Sequence, residues 1–249
     1  MRKNKGINTL QIGLIICALL IIGGCADHTE KKKKSEAVKT NVTNSETKEG
    51  KPTIPEDKKK LPSQGQRVKI DLELYIQENN YFCGPAVIRT ILHHFNIDKS
   101  QNELAKEMHT SSVTGTEYIE MAQVLNREIF HNTNPSYGEA GYHIQTLTLM
   151  DYQKDVKIIW QQRMRKNIDD GYPSILAVNM HTLYPNMKQV NHFVICMGYL
   201  LDQDNQVEYY YLLDPFYGVQ DEVYRGLKYY TPDELWSAIV ENEEPAYIY

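Results

Sequence analysis

A polar stretch that runs directly into an apolar helical pattern constrains this chain more than any other feature. The residues from Gln77 to Ala86 read Gln-Glu-Asn-Asn-Tyr-Phe-Cys-Gly-Pro-Ala, and apolar side chains recur at helical spacing over 87–95. Pro85 suits a first helical turn, because its missing N–H would have no partner there. The sequence therefore predicts that Cys83 lies at the N-terminus of a helix that packs against a core.

A thiol at the start of a helix is a candidate nucleophile. The exposed N–H groups and the dipole of the helix lower the pKa of a thiol placed there, and the thiolate is the reactive form. Such a nucleophile also needs a base, a group that orients the base, and hydrogen-bond donors for the oxyanion. These partners must come from other parts of the chain.

The charge of the chain is unevenly distributed. From Arg67 onward there are 14 Lys and Arg against 25 Asp and Glu, a net charge of −11, whereas residues 26–66 carry a net charge of +3. An acidic domain argues against nucleic-acid binding, which requires a basic face. Residues 67–249 are numerous enough to form a single domain with a sizeable core.

The N-terminus has the pattern of an export signal. A basic start is followed by a mostly apolar run over 10–22, which ends in Ile22-Gly-Gly-Cys25. This ending resembles the lipobox of bacterial lipoproteins, and the resemblance implies cleavage before Cys25 and attachment of lipid (diacylglycerol and palmitate) to its sulfur. The alternative is an uncleaved membrane anchor. Both place the domain on the outer face of the bacterial cell membrane, since the basic end stays cytoplasmic.

The segment between the apolar run and the domain is predicted to be a tether. It is rich in Lys, Glu, Thr, Asn and Pro and contains few large apolar residues, so it cannot bury enough surface to order itself. The predicted organisation is a lipoprotein signal peptide over 1–24, a lipid-anchored flexible linker over 25–66, and one domain over 67–249.

The cysteines divide by location. Cys17 belongs to the signal peptide and Cys25 to the lipobox, which leaves Cys83 and Cys196 in the domain. A disulfide between these two is one possibility for an exported protein. Cys196 lies in the apolar run Phe-Val-Ile-Cys-Met, however, so we expect a buried, unreactive thiol there.

The domain changes from helical to strand-like patterns along the chain. The expected strands are 68–76, 173–179, 190–200, 207–213 and an edge strand at 246–249. The expected helices are 83–96, 100–108, 151–168 and 231–240. A further helix is expected to be capped by Thr116, with its apolar side chains facing inward: Ile119, Met121, Val124 and Leu125. Residues 132–142 are expected to form a loop. N-terminal helices packed on a C-terminal antiparallel sheet give an α+β fold.

Two of these strands bring a base and a carboxylate together. If 190–200 and 207–213 pair through the turn at 202–205, residues whose numbers sum to about 407 face each other. His192 then lies opposite position 215, and the Asp214 carboxylate is within reach of its imidazole. Gln77, six residues before Cys83, can offer a side-chain N–H to an oxyanion alongside the Cys83 backbone N–H.

These residues also resemble a known family. Gln77-x5-Cys83-Gly-Pro-Ala, Asn-His192-Phe and Leu-Asp214-Pro resemble the three boxes of the C39-like cysteine peptidases, some of which trim double-glycine leaders from bacteriocin precursors. The resemblance implies a papain-like fold with Cys83 as nucleophile, His192 as base, Asp214 as orienting group and Gln77 as oxyanion donor. Phe82 stands where the family often has Asp.

The expected activity is hydrolysis of peptide or protein substrates outside the cell, with no cofactor. Two alternatives use the same fold: an acyltransferase or amidase working through the same thioester, and a peptide-binding module without catalysis. The histidines lack zinc-type spacing such as HExxH, so no metal is expected. His181 also follows a strand and is the reserve candidate for the base.

Overall fold

A computed structural model describes residues 65–148 and 154–249, which belong to one compact unit within 51–249. The predicted signal peptide, Cys25 and nearly all of the predicted linker lie outside the described residues. The helices are α1 Cys83–His94, α2 Gln101–Glu107, α3 Tyr118–Leu125, α4 Lys154–Asp169, α5 Met180–Leu183 and α6 Pro232–Val240, with a π-helical turn at Asn126–Phe130 and a 3₁₀ turn at Tyr217–Val219. The strands are β1 Arg67–Lys69, β2 Ile144–Thr146, β3 Ser174–Asn179, β4 Asn191–Leu201, β5 Val207–Leu213, β6 Leu227–Tyr230 and β7 Ala246–Ile248.

In the described part of the chain, seven strands form one antiparallel sheet. Six follow the order β2-β7-β3-β4-β5-β6, and β1 pairs with β4 on the side that β3 also uses. β4 is the longest strand, and its first residues pair with β3 while its later residues pair with β1. The middle of the sheet is thus organised around β4.

Helices cover both faces of this sheet. Successive residues of β3 point to opposite sides, so Ile175 packs with α1 and α3 whereas Leu176 packs with α4 and α6. Trp160 of α4 is fully buried on the second face. The α+β architecture is confirmed, with the addition that the later helices form a second layer rather than extending the first.

The first strand is shorter than predicted. The alternation over 68–76 predicted one long strand, but β1 ends at Lys69, opposite Gly198. Ser174 of β3 pairs with Cys196, two residues before Gly198 in β4, so β3 already occupies the position that a longer β1 would take. The chain therefore leaves the sheet and crosses to Cys83 without regular structure.

The last strand occupies an inner position. β7 was expected at an edge, but it lies between β2 and β3. Ala246, Tyr247 and Ile248 are all buried, as a central strand requires. The edges of the six-strand path are β2 and β6, two short strands that sequence patterns did not predict.

The start of α3 also differs from the expectation. Glu117, not Thr116, is the N-cap, and its side chain makes no capping bond. The Thr116 hydroxyl instead pairs with that of Thr110 at 2.8 Å. Ile119 was expected to face inward but is 52% exposed.

Other local predictions are confirmed. The capping boxes that open α2 and α6 both form, with Ser100 and Thr231 accepting from the backbone N–H three residues later. Cys196 is a free, fully buried thiol, and burial raises its pKa to about 12. Within the described ranges, no helix is both long and apolar enough to cross a membrane.

Candidate active site

Cys83 is the first residue of α1, as predicted. Its side chain is half-buried, and the N-cap residue Phe82 makes no side-chain bond to the first turn. The backbone amides of Gly84 and of Phe193 in β4 act on the sulfur and favour its ionised form. The helix start and the sheet thus contribute one amide each.

Gly84 allows α1 to approach the loop before α3. A Cβ built on this residue would lie 2.6 Å from Thr116 Oγ1 and 2.8 Å from Thr116 Cβ, which is too close for any side chain. The use of Thr116 in this contact, rather than as a helix cap, accounts for the altered start of α3. The backbone beside Cys83 is therefore held in contact with the next helical segment.

His192 lies between the thiol and a carboxylate. Its Nε2 atom is 2.7 Å from Oδ1 of Asp214, and its imidazole is also hydrogen-bonded to Cys83. Because Nε2 is engaged by Asp214, the thiol must contact the other ring nitrogen, Nδ1. The structure therefore brings together three residues that are separated by 109 and 22 positions in the chain.

The pairing of β4 and β5 produces this geometry. The register was predicted with residue numbers summing to about 407, and the observed partners Ile195 and Leu213 differ from it by one residue. A bulge between Cys196 and Gly198 shifts the later pairs. Asp214 follows the last residue of β5 directly, so its side chain is available to the imidazole of His192.

Asp214 is held from several sides. Its side chain is fully buried, Oδ1 also accepts from the N–H of Phe216 at 2.8 Å, and Oδ2 accepts from the hydroxyl of Tyr184 at 2.7 Å. The backbone N–H of Asp214 donates to the carbonyl of Gly226, where a Cβ would lie 2.3 Å from the Asp214 carbonyl oxygen. Three donors suit an ionised carboxylate, which only accepts hydrogen bonds.

An aromatic ring covers the imidazole. Phe216 lies edge-on to His192, with ring centroids 6.2 Å apart. His192 is 5% exposed, so water reaches it poorly. The ring therefore shields the His192–Asp214 hydrogen bond from competition with solvent.

The ionisation of the thiol and the imidazole is coupled. Burial disfavours the thiolate, but the hydrogen bond and charge of His192 overcome this and lower the pKa of Cys83 below its ordinary value. Burial likewise disfavours the imidazolium, but the charge of Asp214 and the contact with Cys83 raise the pKa of His192 to about 10. The arrangement therefore favours a thiolate beside an imidazolium.

Gln77 lies just before the turn that leads into Cys83. Its backbone N–H donates to the carbonyl of Pro215 at 2.9 Å, which ties this turn to the residue after Asp214. Its buried side-chain Nε2 donates to the carbonyl of Asn79 at 2.8 Å. An amide nitrogen has two hydrogens, so one remains for a further acceptor. The role of Gln77 as an oxyanion donor stays a prediction.

The structure places the reserve base outside the site and adds two groups to the site that the sequence did not predict. His181, the reserve base, is exposed and its Nδ1 lies 2.8 Å from the carbonyl oxygen of Met187. Tyr184 and the Phe193 amide were missed, because neither has a local sequence signal that marks it as part of a site. Among the described residues there is no group of three or more His, Cys, Asp or Glu side chains that could hold a metal ion.

Two solved structures resemble the chain at low sequence identity. The peptidase domain of Streptococcus ComA, a bi-functional ABC transporter involved in quorum sensing, is 16% identical with a TM-score of 0.44, covering 71% of this chain and 96% of that chain. A double glycine motif protease from an AMS/PCAT transporter, in complex with its leader peptide, is 14% identical with a TM-score of 0.40, covering 74% and 96%. A search of the curated proteins found no match.

The sequence itself matches a family model over most of the domain. The match spans residues 69–242 and includes the turn before Cys83, the β4–β5 hairpin and Asp214. The matched residues thus include the helix that Cys83 begins and the central strands of the antiparallel sheet. The chain belongs to the family described as Peptidase_C39 like.

Proposed function

We propose that the protein is a lipid-anchored cysteine peptidase that cleaves peptide bonds on the outer face of the cell membrane. Cys83 is the nucleophile, His192 the base, Asp214 the orienting group and Gln77 the oxyanion donor. The observation that carries the proposal is the position of His192, which is hydrogen-bonded to both the thiol and a buried carboxylate. A cysteine with only a structural role at the start of a helix would need neither the His192 imidazole nor the Asp214 carboxylate.

The chemistry follows from the coupled ionisation of the two side chains. The Cys83 thiolate attacks the carbonyl carbon of the substrate, and the resulting oxyanion accepts hydrogen bonds from the Cys83 N–H and the Gln77 side chain. His192 then gives its Nδ1 proton to the leaving amine as the C–N bond breaks, which leaves a thioester on Cys83. Water then attacks the thioester while His192 takes one of its protons. The C–S bond breaks, the carboxylic acid is released, and Cys83 returns to a thiolate beside the imidazolium.

The location follows from the N-terminal pattern. Cleavage before Cys25 and lipid attachment to its sulfur would leave the domain on a tether of about 40 residues outside the cell. The substrates of the proposal are therefore secreted or surface peptides and proteins.

A thiol-reactive probe tests the enzymatic part of the proposal. The full chain is incubated with a peptidyl acyloxymethyl ketone, and labelling at Cys83 is followed by peptide mass spectrometry. We expect fast labelling that Cys83→Ala abolishes and His192→Ala slows strongly, while Cys196→Ala leaves it unchanged. Full-rate labelling of the His192→Ala variant would contradict the proposal and favour a binding module.

The products decide between hydrolysis and transfer. A peptide library is incubated with the protein in the presence and absence of an added amine, and the new termini are identified by mass spectrometry. Peptide hydrolysis predicts free carboxylates in both cases. Products in which the acyl group is joined to the added amine would instead indicate an acyltransferase.

A further inference from the structure

We propose that Tyr184 is a positioning residue for the peptidase reaction, because its hydroxyl holds the Asp214 carboxylate in the orientation that directs Oδ1 to His192. Tyr230 supports Tyr184 in this role. The catalytic consequence rests on the proposed function, whereas the effect on the Cys83 thiol does not require any substrate.

The two carboxylate oxygens of Asp214 have different partners. Oδ1 accepts from His192 and from the Phe216 amide, and Oδ2 accepts from the Tyr184 hydroxyl at 2.7 Å. The carboxylate is fully buried, so water cannot replace a lost donor at Oδ2. Without the Tyr184 hydroxyl, the Asp214 carboxylate is free to rotate until each of its oxygens accepts from one of the two remaining donors, His192 and the Phe216 N–H. That rotation would lengthen the bond from His192 Nε2.

The direction of the hydrogen bonds can be assigned. Tyr184 also bonds to the buried Tyr230 hydroxyl, but it has a single proton to donate. A carboxylate is a stronger acceptor than a phenol, so Tyr184 donates to Asp214 and accepts from Tyr230. The result is a chain of two donors, in which Tyr230 donates to Tyr184 and Tyr184 donates to the Asp214 carboxylate. His192 donates to the other oxygen of the same carboxylate.

Tyr184 keeps its proton at every pH at which the enzyme would work. Burial and the charge of Asp214 raise the pKa of Tyr184 well above its ordinary value. Tyr184 follows α5, and Tyr230 is the last residue of β6, so two separate elements fix the chain of donors. Bonds in such a chain strengthen one another in a site of low dielectric constant.

The expected effect is on the coupled pair at Cys83 and His192. The titratable and charged groups that act on this network are Cys83, His192, Asp214, Tyr184, Tyr230, Tyr118 and Glu234. If the Asp214–His192 bond weakens, the imidazolium becomes easier to deprotonate and the thiol harder to ionise. The pH range in which the thiolate and imidazolium coexist must therefore narrow from both ends.

Tyr184→Phe tests this in the full chain by two measurements. The rate of Cys83 alkylation by iodoacetamide is measured against pH by peptide mass spectrometry. We expect its midpoint to move up by about half a pH unit, which gives about a threefold lower rate at any pH below the midpoint. For a peptide that the wild type cleaves, we expect the acid and alkaline limbs of the pH–rate profile to approach each other by about one pH unit in total. A purely structural role would lower the amount of active protein without moving either limb.

Two further variants keep the proposal falsifiable. Tyr230→Phe leaves Tyr184 in place and should narrow the profile in the same direction but less, even if Tyr184→Phe folds poorly. Tyr142 is 3% exposed, and its hydroxyl has no hydrogen-bond partner among the described residues, so Tyr142→Phe is the matched control and should leave both limbs unchanged. Unchanged limbs in Tyr184→Phe and Tyr230→Phe, or equal narrowing in Tyr142→Phe, would overturn the role of Tyr184.

The proposed function can fail separately. The peptidase proposal is wrong if the wild type cleaves no peptide and the peptidyl probe labels the wild type no more than it labels Cys83→Ala. The iodoacetamide titration of Cys83 still decides the role of Tyr184 in that case, because it measures the thiol and not the reaction. A slower alkylation in Tyr184→Phe supports the donor chain, and an unchanged rate contradicts it.

Discussion

Nε2 of His192 lies 2.7 Å from Oδ1 of Asp214, and both side chains are buried. This pair determines the charge of the imidazole that faces Cys83. A buried imidazolium without a carboxylate would lose its proton, and a thiolate without an imidazolium would gain one. Each member of the site is therefore expected to change the titration of the others.

Replacing His192 by Ala should raise the pKa of the Cys83 thiol above its ordinary value. His192 is the main influence that lowers this pKa, and burial, which opposes ionisation, remains in the variant. Alkylation of Cys83 at pH 7 should fall by at least about tenfold, measured against pH by peptide mass spectrometry. The buried thiol of Cys196 in the same sample serves as the slow reference. A Cys83 titration that does not move would contradict the coupling.

Replacing Asp214 by Asn should separate charge from orientation. The Asn oxygen can accept from His192, and its NH₂ can donate to the Tyr184 hydroxyl, which can then turn its proton to Tyr230. The hydrogen bonds survive but the charge is lost, so the pKa of His192 should fall from about 10 by about 1–3 units. The alkaline limb of hydrolysis moves down with it. Asp214→Ala, which leaves all three donors to the carboxylate without an acceptor, should lose more activity than Asp214→Asn.

Replacing Gln77 by Met should reduce hydrolysis without changing the thiol. Met has a similar length but no donor, so the oxyanion loses one hydrogen bond, and kcat should fall about 10²-fold. Gln77 does not contribute to the shifted pKa of Cys83, so alkylation at pH 7 should stay close to that of the wild type. If both rates fall together, Gln77 acts on the thiol rather than on the oxyanion.

Replacing Gly84 by Ala should destabilise the domain. The new methyl group would lie 2.6 Å from Thr116 Oγ1, and the displacement needed to relieve this contact should cost about 1–3 kcal/mol in urea unfolding. Thr116→Gly removes the atoms that collide. The double variant should therefore be more stable than the sum of the two single changes predicts, and strict additivity would show that the contact is not responsible.

Replacing Cys25 by Ala should prevent lipid attachment. The lipobox prediction requires the Cys25 sulfur as acceptor, so incorporation of radiolabelled palmitate should be lost and the protein should keep its signal peptide. Cys17→Ala, within the apolar run, is the matched control and should leave incorporation unchanged. Palmitate incorporation that survives Cys25→Ala would exclude the lipobox interpretation.

Local patterns predicted most of the elements that position the site. The apolar spacing after Pro85 predicted α1, and the residues after Ser100 and Thr231 predicted two capped helices. The turn at 202–205 predicted the β4–β5 register to within one or two residues. These features depend on hydrogen bonds and periodicities that span a few residues. The same register argument predicted that His192 and Asp214 meet.

Long-range contacts decided what the sequence patterns missed. β1 ends early because β3 occupies the edge of β4, and β7 is central because β2 pairs with its outer side. Neither competition can be read from the alternation within one strand. Thr116 resembled a helix cap, but its hydroxyl is used elsewhere because Gly84 brings α1 against it.

Residue spacing and turn chemistry alone were enough to predict that Cys83 begins a helix and that His192 and Asp214 lie on one hairpin. The contact of the Tyr184 hydroxyl with the second carboxylate oxygen of Asp214, 30 residues away, and its hydrogen bond to Tyr230 depend instead on how distant elements pack. A hydroxyl in an ordinary tyrosine carries no signal of its partner, because that partner is chosen by how separate elements pack.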